Sequence, residues 1–174
     1  CEVLMRLQFF RDNPEATPPR FATAQSACFD LSACITSGMS IKTFKPDNLE
    51  YSKTPFVLEK GFAISIQSGE RVLVPTGLIL DIPEGYSVRL HVRSSLALKK
   101  GLTLANAEGV IDSDYVLPTY VMLYNSSKNT EIIRHGDRIC QGELVQSLSY
   151  NIDEILTKPE NKTDRTGGFG STGA

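Results

Sequence analysis

The segment Tyr86-Ser-Val-Arg-Leu-His-Val-Arg93 alternates strictly between apolar and polar side chains. Its apolar positions are Tyr86, Val88, Leu90 and Val92, and the residues between them are polar or charged. Successive side chains of a β-strand point to opposite faces, so a period of two predicts a half-buried strand.

The neighbouring segments have a similar composition. Arg71–Val74 and Leu78–Ile82 are rich in Val, Ile and Leu, and Pro75-Thr76-Gly77 between them is typical of a turn. These segments predict two strands joined by a hairpin. Further strands are predicted at Thr119–Asn125 and Ile139–Val145.

Helical periodicity is weak throughout the chain. The single short helix that the sequence predicts covers Ser95–Lys100 and ends at Gly101, since glycine is a common C-terminal cap. Many short strands at close spacing favour an all-β fold, either a barrel or a sandwich, with a jelly roll among the options.

The composition limits the class of protein. The 174 residues include 18 Lys and Arg against 20 Asp and Glu, which gives a net charge of -2. This length fits one domain, and no stretch approaches the roughly 18 consecutive apolar residues of a membrane span. The slightly negative charge argues against a nucleic-acid-binding surface but permits a small anionic ligand.

The four cysteines are Cys1, Cys28, Cys34 and Cys140. They form no C-x-x-C pair and have no histidine close to them in sequence, which argues against a zinc site. Free thiols are typical of an intracellular protein, so we expect a cytoplasmic location, in the host cytoplasm if the source is viral.

Two regions differ from the strand pattern. Residues 37–60 are polar, and they are predicted to leave the sheet as a long insertion that could contact a protein partner. Residues 151–174 are mostly polar and end in a glycine-rich sequence. The sequence therefore predicts a β-barrel domain over 1–150, followed by a flexible arm over 151–174.

The arm contains Gly168-Phe-Gly170-Ser-Thr-Gly173, which formally matches G-x-G-x-x-G. A dinucleotide fingerprint must open a helix, and a Walker A loop needs a Lys-Ser/Thr pair, so neither motif applies. Glycines expose backbone N–H groups that could wrap phosphates, with Phe169 stacked on a flat ring. A flexible tail is the alternative from the residues alone.

Five short motifs follow one another from about Ala27 to Gly173. They are Ser26–Ala33, Arg93–Ala97, Asn106–Tyr115, Gly136–Gln141 and Arg165–Gly173. In this order they resemble the five motifs of the trimeric deoxyuridine triphosphatase (dUTPase) family. GVIDSDY and RTGGFGSTG are the most specific stretches, whereas A-x-x-D-L and G-D-R-I-x-Q would be weak alone.

The resemblance implies a jelly-roll-like distorted barrel that forms a homotrimer, with active sites shared between subunits and the C-terminal arm closing over each site. It implies hydrolysis of dUTP to dUMP and pyrophosphate, with Mg2+ bound to the triphosphate. This reaction keeps uracil out of DNA and supplies dUMP for dTMP synthesis.

The third motif would hold the base, the sugar and the attacking water. The resemblance makes Asp112 the general base, which activates a water to attack the α-phosphorus; from the residues alone, Asp-Ser-Asp is also common in turns. Asn106 offers an acceptor and a donor that match the edge of uracil, and Tyr115 would exclude a 2'-hydroxyl. Backbone groups would complete the pocket, from Gly109, Val110, Ile111 and Tyr120.

A second set of residues is assigned to the triphosphate. Arg93 precedes Ser94 and Ser95 at the start of the predicted helix, which favours phosphate binding; a solvated polar face is the alternative. Asp30 is expected to hold Mg2+ through a water molecule, without any direct protein ligand. The other residues assigned to substrate are Gln141, Arg165, Phe169, Gly170, Ser171 and Thr172.

The chain departs from the family pattern at several positions. Val92 and Ser95 stand where the second motif usually has Pro and Gly, and Arg93-Ser-Ser is also the form found in the related dCTP deaminases. Val116-Leu-Pro118 replaces the usual continuation of the third motif. Two alternatives therefore stay open: a dCTP deaminase of the same fold, and a nucleotide-gated interaction module that signals through residues 37–60.

Overall fold

The computed structural model describes residues 5–165 and residue 167, and within them the chain forms fourteen strands and one helix, α1 (Ser94–Lys100). The predicted all-β class with one short helix is therefore confirmed. The strands are β1 (Gln8–Arg11), β2 (Arg20–Phe21), β3 (Phe29–Ser32), β4 (Ile41–Phe44), β5 (Glu50–Lys53), β6 (Phe56–Leu58), β7 (Gly61–Ile66), β8 (Arg71–Asp81), β9 (Tyr86–His91), β10 (Leu102–Leu104), β11 (Gly109–Asp112), β12 (Pro118–Asn125), β13 (Glu131–Arg134) and β14 (Arg138–Gln146).

The strands pair into three sheets. The largest has the order β10-β12-β8-β4-β5, with β1 also paired to β8. The second has the order β11-β9-β14-β3-β2, and the third has the order β13-β7-β6. Among the described strands, the first and last strands of each sheet do not pair with each other. The distorted barrel expected from the sequence is therefore a set of three sheets around one core and not a closed barrel.

Side chains from all three sheets meet in a single hydrophobic core. The long strand β8 contributes Val72, Val74, Leu78 and Leu80, each at most 1% exposed. Burying a side chain of this size stabilises the fold by about 1.5–3 kcal/mol. The alternation predicted for β9 holds from Val88 to His91, where Val88 and Leu90 are buried while Arg89 and His91 lie half-buried on the other face. At the start of the strand it fails, because Ser87 is buried and Tyr86 is half-buried.

The predicted hairpin at Pro75-Thr76-Gly77 is wrong, because β8 runs through this sequence without a turn. The Pro75 carbonyl accepts a hydrogen bond from the Cys34 N–H, and the pairing of β8 with β12 shifts between Pro118 and Tyr120. A bulge of this kind tolerates a proline, which has no N–H to donate. Gly77 has φ of +68°, so it accommodates the bend inside the strand.

The prediction that residues 37–60 leave the sheet is also wrong. Within this segment β4 pairs with β8 and β5, and β6 pairs with β7. Ile41 and Thr43 are buried on either side of the exposed Lys42, so β4 has the period of two expected of a strand. Some of the polar residues of this segment make buried contacts, since Tyr51 and Lys53 both donate hydrogen bonds to the buried Glu70 carboxylate.

The predicted helix is confirmed, with its C-terminal cap. Gly101 has φ of +65° and its N–H donates to the Leu96 carbonyl. Beyond β14, residues 151–165 contain no helix or strand and are exposed. Within the described part of the chain, no helix is long and apolar enough to cross a membrane.

Candidate active site

A cleft of about 250 Å³ opens beside the turn that joins β11 to β12. The turn is closed by a hydrogen bond of 3.1 Å from the Tyr115 N–H to the Asp112 carbonyl, and the Tyr115 hydroxyl donates to the Pro118 carbonyl at 3.2 Å. These bonds fix the Tyr115 ring at the cleft next to Asp112. The Asp112 side chain is exposed at the end of β11, where water can reach it.

The cleft brings together the residues that the sequence assigned to the base and the attacking water. Its lining includes Asn106, Gly109, Val110, Ile111, Asp112, Tyr115 and Tyr120. Gly109 is required for packing here, since a Cβ at this position would lie 2.8 Å from the Leu90 Cβ. All seven assignments to this pocket therefore meet in one place.

Sequence reasoning missed five other residues of the lining. Four are apolar and come from several strands, namely Leu73, Leu90, Leu104 and Met122. The fifth, Thr119, is only 2% exposed, and its hydroxyl has no hydrogen-bond partner among the described residues. Buried hydroxyls normally have partners, so this one, at the lining of the cleft, is a candidate contact for a bound molecule. Thr119 lies on the buried face of β12 together with Val121 and Leu123. A polar threonine among apolar residues on a buried strand face was the sequence feature that could have identified it.

The residues assigned to the triphosphate gather around Asp30 on β3. Its Oδ1 lies 3.1 Å from Arg93 Nε, and its Oδ2 lies 3.0 Å from Arg138 Nη1. Gln141 of β14 pairs with Asp30 on one side and with His91 on the other. Ser94 follows Arg93 directly, and both it and Ser95 are exposed at the start of α1.

These two groups of residues lie far apart within the chain. Asp112 of β11 pairs with Ser87 at one end of β9, whereas Arg93 lies just beyond the other end. Arg93 is six positions beyond Ser87, which corresponds to about 20 Å of extended chain. The Asp112 carboxylate and the Arg93 guanidinium of one chain are thus at opposite ends of the strand.

The remaining assigned residues belong to the C-terminal arm. Arg165 is exposed, and its Nε donates to the Gly167 carbonyl at 2.9 Å. The assignments to Phe169, Gly170, Ser171 and Thr172 lie outside the described residues.

Asp30 was expected to hold Mg2+ only through water, and its surroundings fit that arrangement. The carboxylate already contacts two guanidinium groups, and no other carboxylate joins it in a metal-binding group among the described residues. An ionised carboxylate has about four lone-pair sites, so it can still accept a hydrogen bond from a metal-bound water. The residues present therefore fit an outer-sphere role and do not fit direct ligation.

Comparison with known proteins agrees with the five motifs. A family model described as dUTPase matches residues 56–173. The deoxyuridine 5'-triphosphate nucleotidohydrolase of Caulobacter vibrioides is 35% identical over 172 residues, which cover 98% of this chain and 95% of the relative.

Solved structures of dUTPases share the fold. The dUTPase from Streptococcus mutans matches with a TM-score of 0.62 and 25% identity, over 83% of this chain and 98% of that one. The dUTPase of Staphylococcus bacteriophage 80alpha, solved with dUPNHPP, matches with a TM-score of 0.70 over 97% and 99% of the two chains. At 17% identity, the second match shows the fold alone. The family match and the full-length relative show that this chain belongs to the dUTPase family.

Proposed function

We propose that this chain hydrolyses dUTP to dUMP and pyrophosphate. The observation that carries the proposal is the cleft at the end of β11, which gathers the residues assigned to uracil, deoxyribose and the attacking water. Membership of the dUTPase family supports the same reaction.

The cleft recognises the base by hydrogen bonds and the sugar by shape. Asn106 and the backbone groups of 109–111 and Tyr120 offer donors and acceptors to the edge of uracil. A pocket whose groups match the hydrogen-bonding edge of uracil leaves some of them unpaired when cytosine binds, so the cytosine amino group is rejected. The Tyr115 ring, held by its bond to Pro118, packs on the deoxyribose and leaves no room for a 2'-hydroxyl.

Asp112 acts as the general base. Its exposed carboxylate accepts a proton from a water molecule, which attacks the α-phosphorus while pyrophosphate leaves. Arg93, Ser94, Ser95 and Gln141 bind the phosphate oxygens, with Arg165 and the glycine-rich sequence of the arm closing over them. Mg2+, when bound to the triphosphate, would supply positive charge to its oxygens, and Asp30 would hold the ion through a water molecule.

The separation of Asp112 and Arg93 supports sites that are shared between subunits, as expected for a homotrimer of this family. About 20 Å of extended chain along and just beyond β9 lies between them, so a single chain does not present both to one triphosphate. A site that combines Asp112 of one subunit with Arg93 of another removes this difficulty.

The proposed reaction is tested by measuring pyrophosphate release from each dNTP, with and without Mg2+. We expect dUTP alone to be hydrolysed, and we expect Asp112→Asn to lower kcat by about 10²–10⁴-fold with KM little changed. Asp114→Asn, two residues away and outside the cleft, is the matched control and should retain activity. Wild-type turnover by Asp112→Asn, or ammonia release from dCTP with dUTP left intact, would contradict the proposal.

The shared site is tested separately by complementation. Asp112→Asn and Arg93→Gln should each be nearly inactive alone. Co-expressed in one cell, they should form mixed trimers in which some sites combine an intact Asp112 with an intact Arg93. Recovered activity supports the shared site, and a mixture as inactive as its parents argues that each site belongs to one chain.

A further inference from the structure

Three side chains with different metal-binding atoms meet on the outer face of the second sheet. The ligand atoms of Cys28, His91 and Glu143 all lie within 4.8 Å of one another, and theirs is the only such group in the described part of the chain. His91 Nε2 lies 3.2 Å from Glu143 Oε2. We call these three residues the Cys-His-Glu cluster.

The strand register brings the cluster together. On one side of β14, Gly142 pairs with Phe29, which places Glu143 next to Cys28. On the other side Gln141 pairs with His91, one step diagonally from Glu143. Cys28 and His91 are 63 positions apart, so the sequence did not reveal this proximity, and the lack of a neighbouring histidine argued against zinc.

The cluster carries more negative than positive charge. Glu143 lies beside one nitrogen of the His91 ring, and Glu108 Oε1 lies 3.9 Å from the other, Nδ1. Neither carboxylate has a Lys or Arg within 4.0 Å among the described residues. Burial raises the pKa of the Cys28 thiol, and the charges of Glu143 and Asp30 raise it further. A bound cation would offset the negative charge of the two carboxylates and would stabilise the ionised Cys28 thiolate.

The geometry and the donor atoms fit zinc. With Zn–N and Zn–O bonds of about 2.0–2.1 Å, two ligands of a tetrahedral ion lie about 3.3 Å apart, close to the separation of His91 Nε2 and Glu143 Oε2. A thiolate with an imidazole favours zinc over magnesium, which prefers oxygen ligands alone. The Glu108 carboxylate lies 3.9 Å from His91 Nδ1, so a movement of about 1 Å would bring it to hydrogen-bond distance as the outer-shell partner that orients a zinc-bound histidine.

We propose that Cys28, His91 and Glu143 bind one Zn2+ per chain, with water at the fourth position and Glu108 orienting the His91 ring. The site is distinct from the cleft at Asp112. It borders the residues assigned to the triphosphate instead. Two positions along the chain separate Cys28 from Asp30, His91 from Arg93, and Glu143 from Gln141, and residues two positions apart in an extended chain lie on the same face. The proposal does not depend on the substrate, because the metal is tested by itself.

The test is titration of the purified, chelator-treated protein with Co2+ as a spectroscopic probe. We expect one Co2+ per chain, intense visible bands typical of tetrahedral coordination, and a thiolate-to-metal charge-transfer band. Zn2+ should displace the probe, and a large excess of Mg2+ should not. A titration without the charge-transfer band, or displacement by Mg2+, overturns the proposal.

Variants locate the site. Cys28→Ser should abolish the charge-transfer band, and Glu143→Gln should weaken Co2+ binding by more than about 100-fold, above the range for outer-shell changes. Glu108→Gln should weaken it by about 10-fold. Circular dichroism verifies that each variant is folded.

Cys1→Ser is the control, because Cys1 is the one cysteine outside the described residues, and it should bind as the wild type does; Cys34 and Cys140 are fully buried. Loss of the band in Cys1→Ser, or unchanged binding by either Cys28→Ser or Glu143→Gln, overturns the proposal.

Discussion

The Arg93 guanidinium lies 3.1 Å from the Asp30 carboxylate, measured from Nε to Oδ1. The pair joins the first motif to the second, and Arg138 of the fourth motif contacts the other oxygen of Asp30. Since the Asp30 side chain is only 14% exposed, its charge is compensated chiefly by these two arginines. The carboxylate thereby holds Arg93 in place before any phosphate arrives.

Asp30→Asn is expected to weaken the dependence of catalysis on Mg2+. The amide keeps the size of the side chain, but its oxygen accepts a hydrogen bond from a metal-bound water less strongly than a carboxylate oxygen does. We expect the Mg2+ concentration that gives half-maximal pyrophosphate release to rise by about 10-fold. Arg138→Gln is the matched control, because it removes a guanidinium from the group but leaves the carboxylate. If Asp30→Asn leaves the half-maximal Mg2+ concentration unchanged, Asp30 does not contact the metal or its waters.

Local sequence patterns predicted the features that depend on short-range geometry. The alternation in β9 from Val88 to His91 and the glycine cap of α1 each involve residues only a few positions apart, and both are present. The motif resemblance identified seven residues of the cleft, because Asn106 and Tyr115 lie only nine positions apart, in the loops on either side of the short strand β11.

Features that depend on pairing between distant strands could not be predicted in this way. Pro75 suggested a turn because its partner, Tyr120 of β12, is over forty residues away. The polar Tyr51 and Lys53 suggested an excursion because their partner Glu70 lies in another segment. The separation of Asp112 from Arg93 likewise requires the register between β9 and β11.

Thr119→Val is expected to weaken dUTP binding without loss of stability. The Thr119 hydroxyl is buried at the cleft and has no partner among the described residues, so valine removes no hydrogen bond from the free protein. If the hydroxyl bonds to the nucleotide, we expect KM for dUTP to rise by about 3- to 10-fold. Steady-state kinetics and thermal unfolding measure the two effects.

Thr76→Val is the matched control for Thr119→Val. The Thr76 hydroxyl donates to the Thr119 carbonyl at 2.6 Å, so its removal should lower the free energy of unfolding by about 1–2 kcal/mol. If Thr119→Val leaves the kinetics unchanged, the hydroxyl does not contact the substrate.

Glu70→Gln is expected to destabilise the fold in a pH-dependent way. Burial by itself would raise the pKa of Glu70, but hydrogen bonds from Lys53, Tyr51 and the Gln67 N–H together lower it. The ionised carboxylate therefore stabilises the fold above its unfolded pKa of about 4.3, and this contribution is lost as the pH falls through the folded pKa. At pH 7 we expect Glu70→Gln to cost about 3–5 kcal/mol, because it leaves Lys53 buried without its partner.

Urea unfolding across pH measures this effect. The difference between wild type and Glu70→Gln should shrink below about pH 4.3. Glu50→Gln provides the control: its ion pair with Lys42 is about half exposed, so the change should cost only about 0–1 kcal/mol. A pH-independent difference would mean that packing, and not the charge of Glu70, stabilises this part of the fold.

Gly77→Ala is expected to destabilise the fold by two separable effects. Gly77 has φ of +68°, and a Cβ there would lie 2.9 Å from both the Ala16 Cβ and the Cys34 Sγ. Gly85→Ala separates the effects, because Gly85 has φ of +80° but nothing within 4 Å of its Cβ position. Both variants should lose about 1–2 kcal/mol through the backbone, and Gly77→Ala should lose about 1–3 kcal/mol more through overpacking. Urea unfolding midpoints measure the difference. Equal losses would show that the bend in β8 can shift away from Ala16 and Cys34 at no cost.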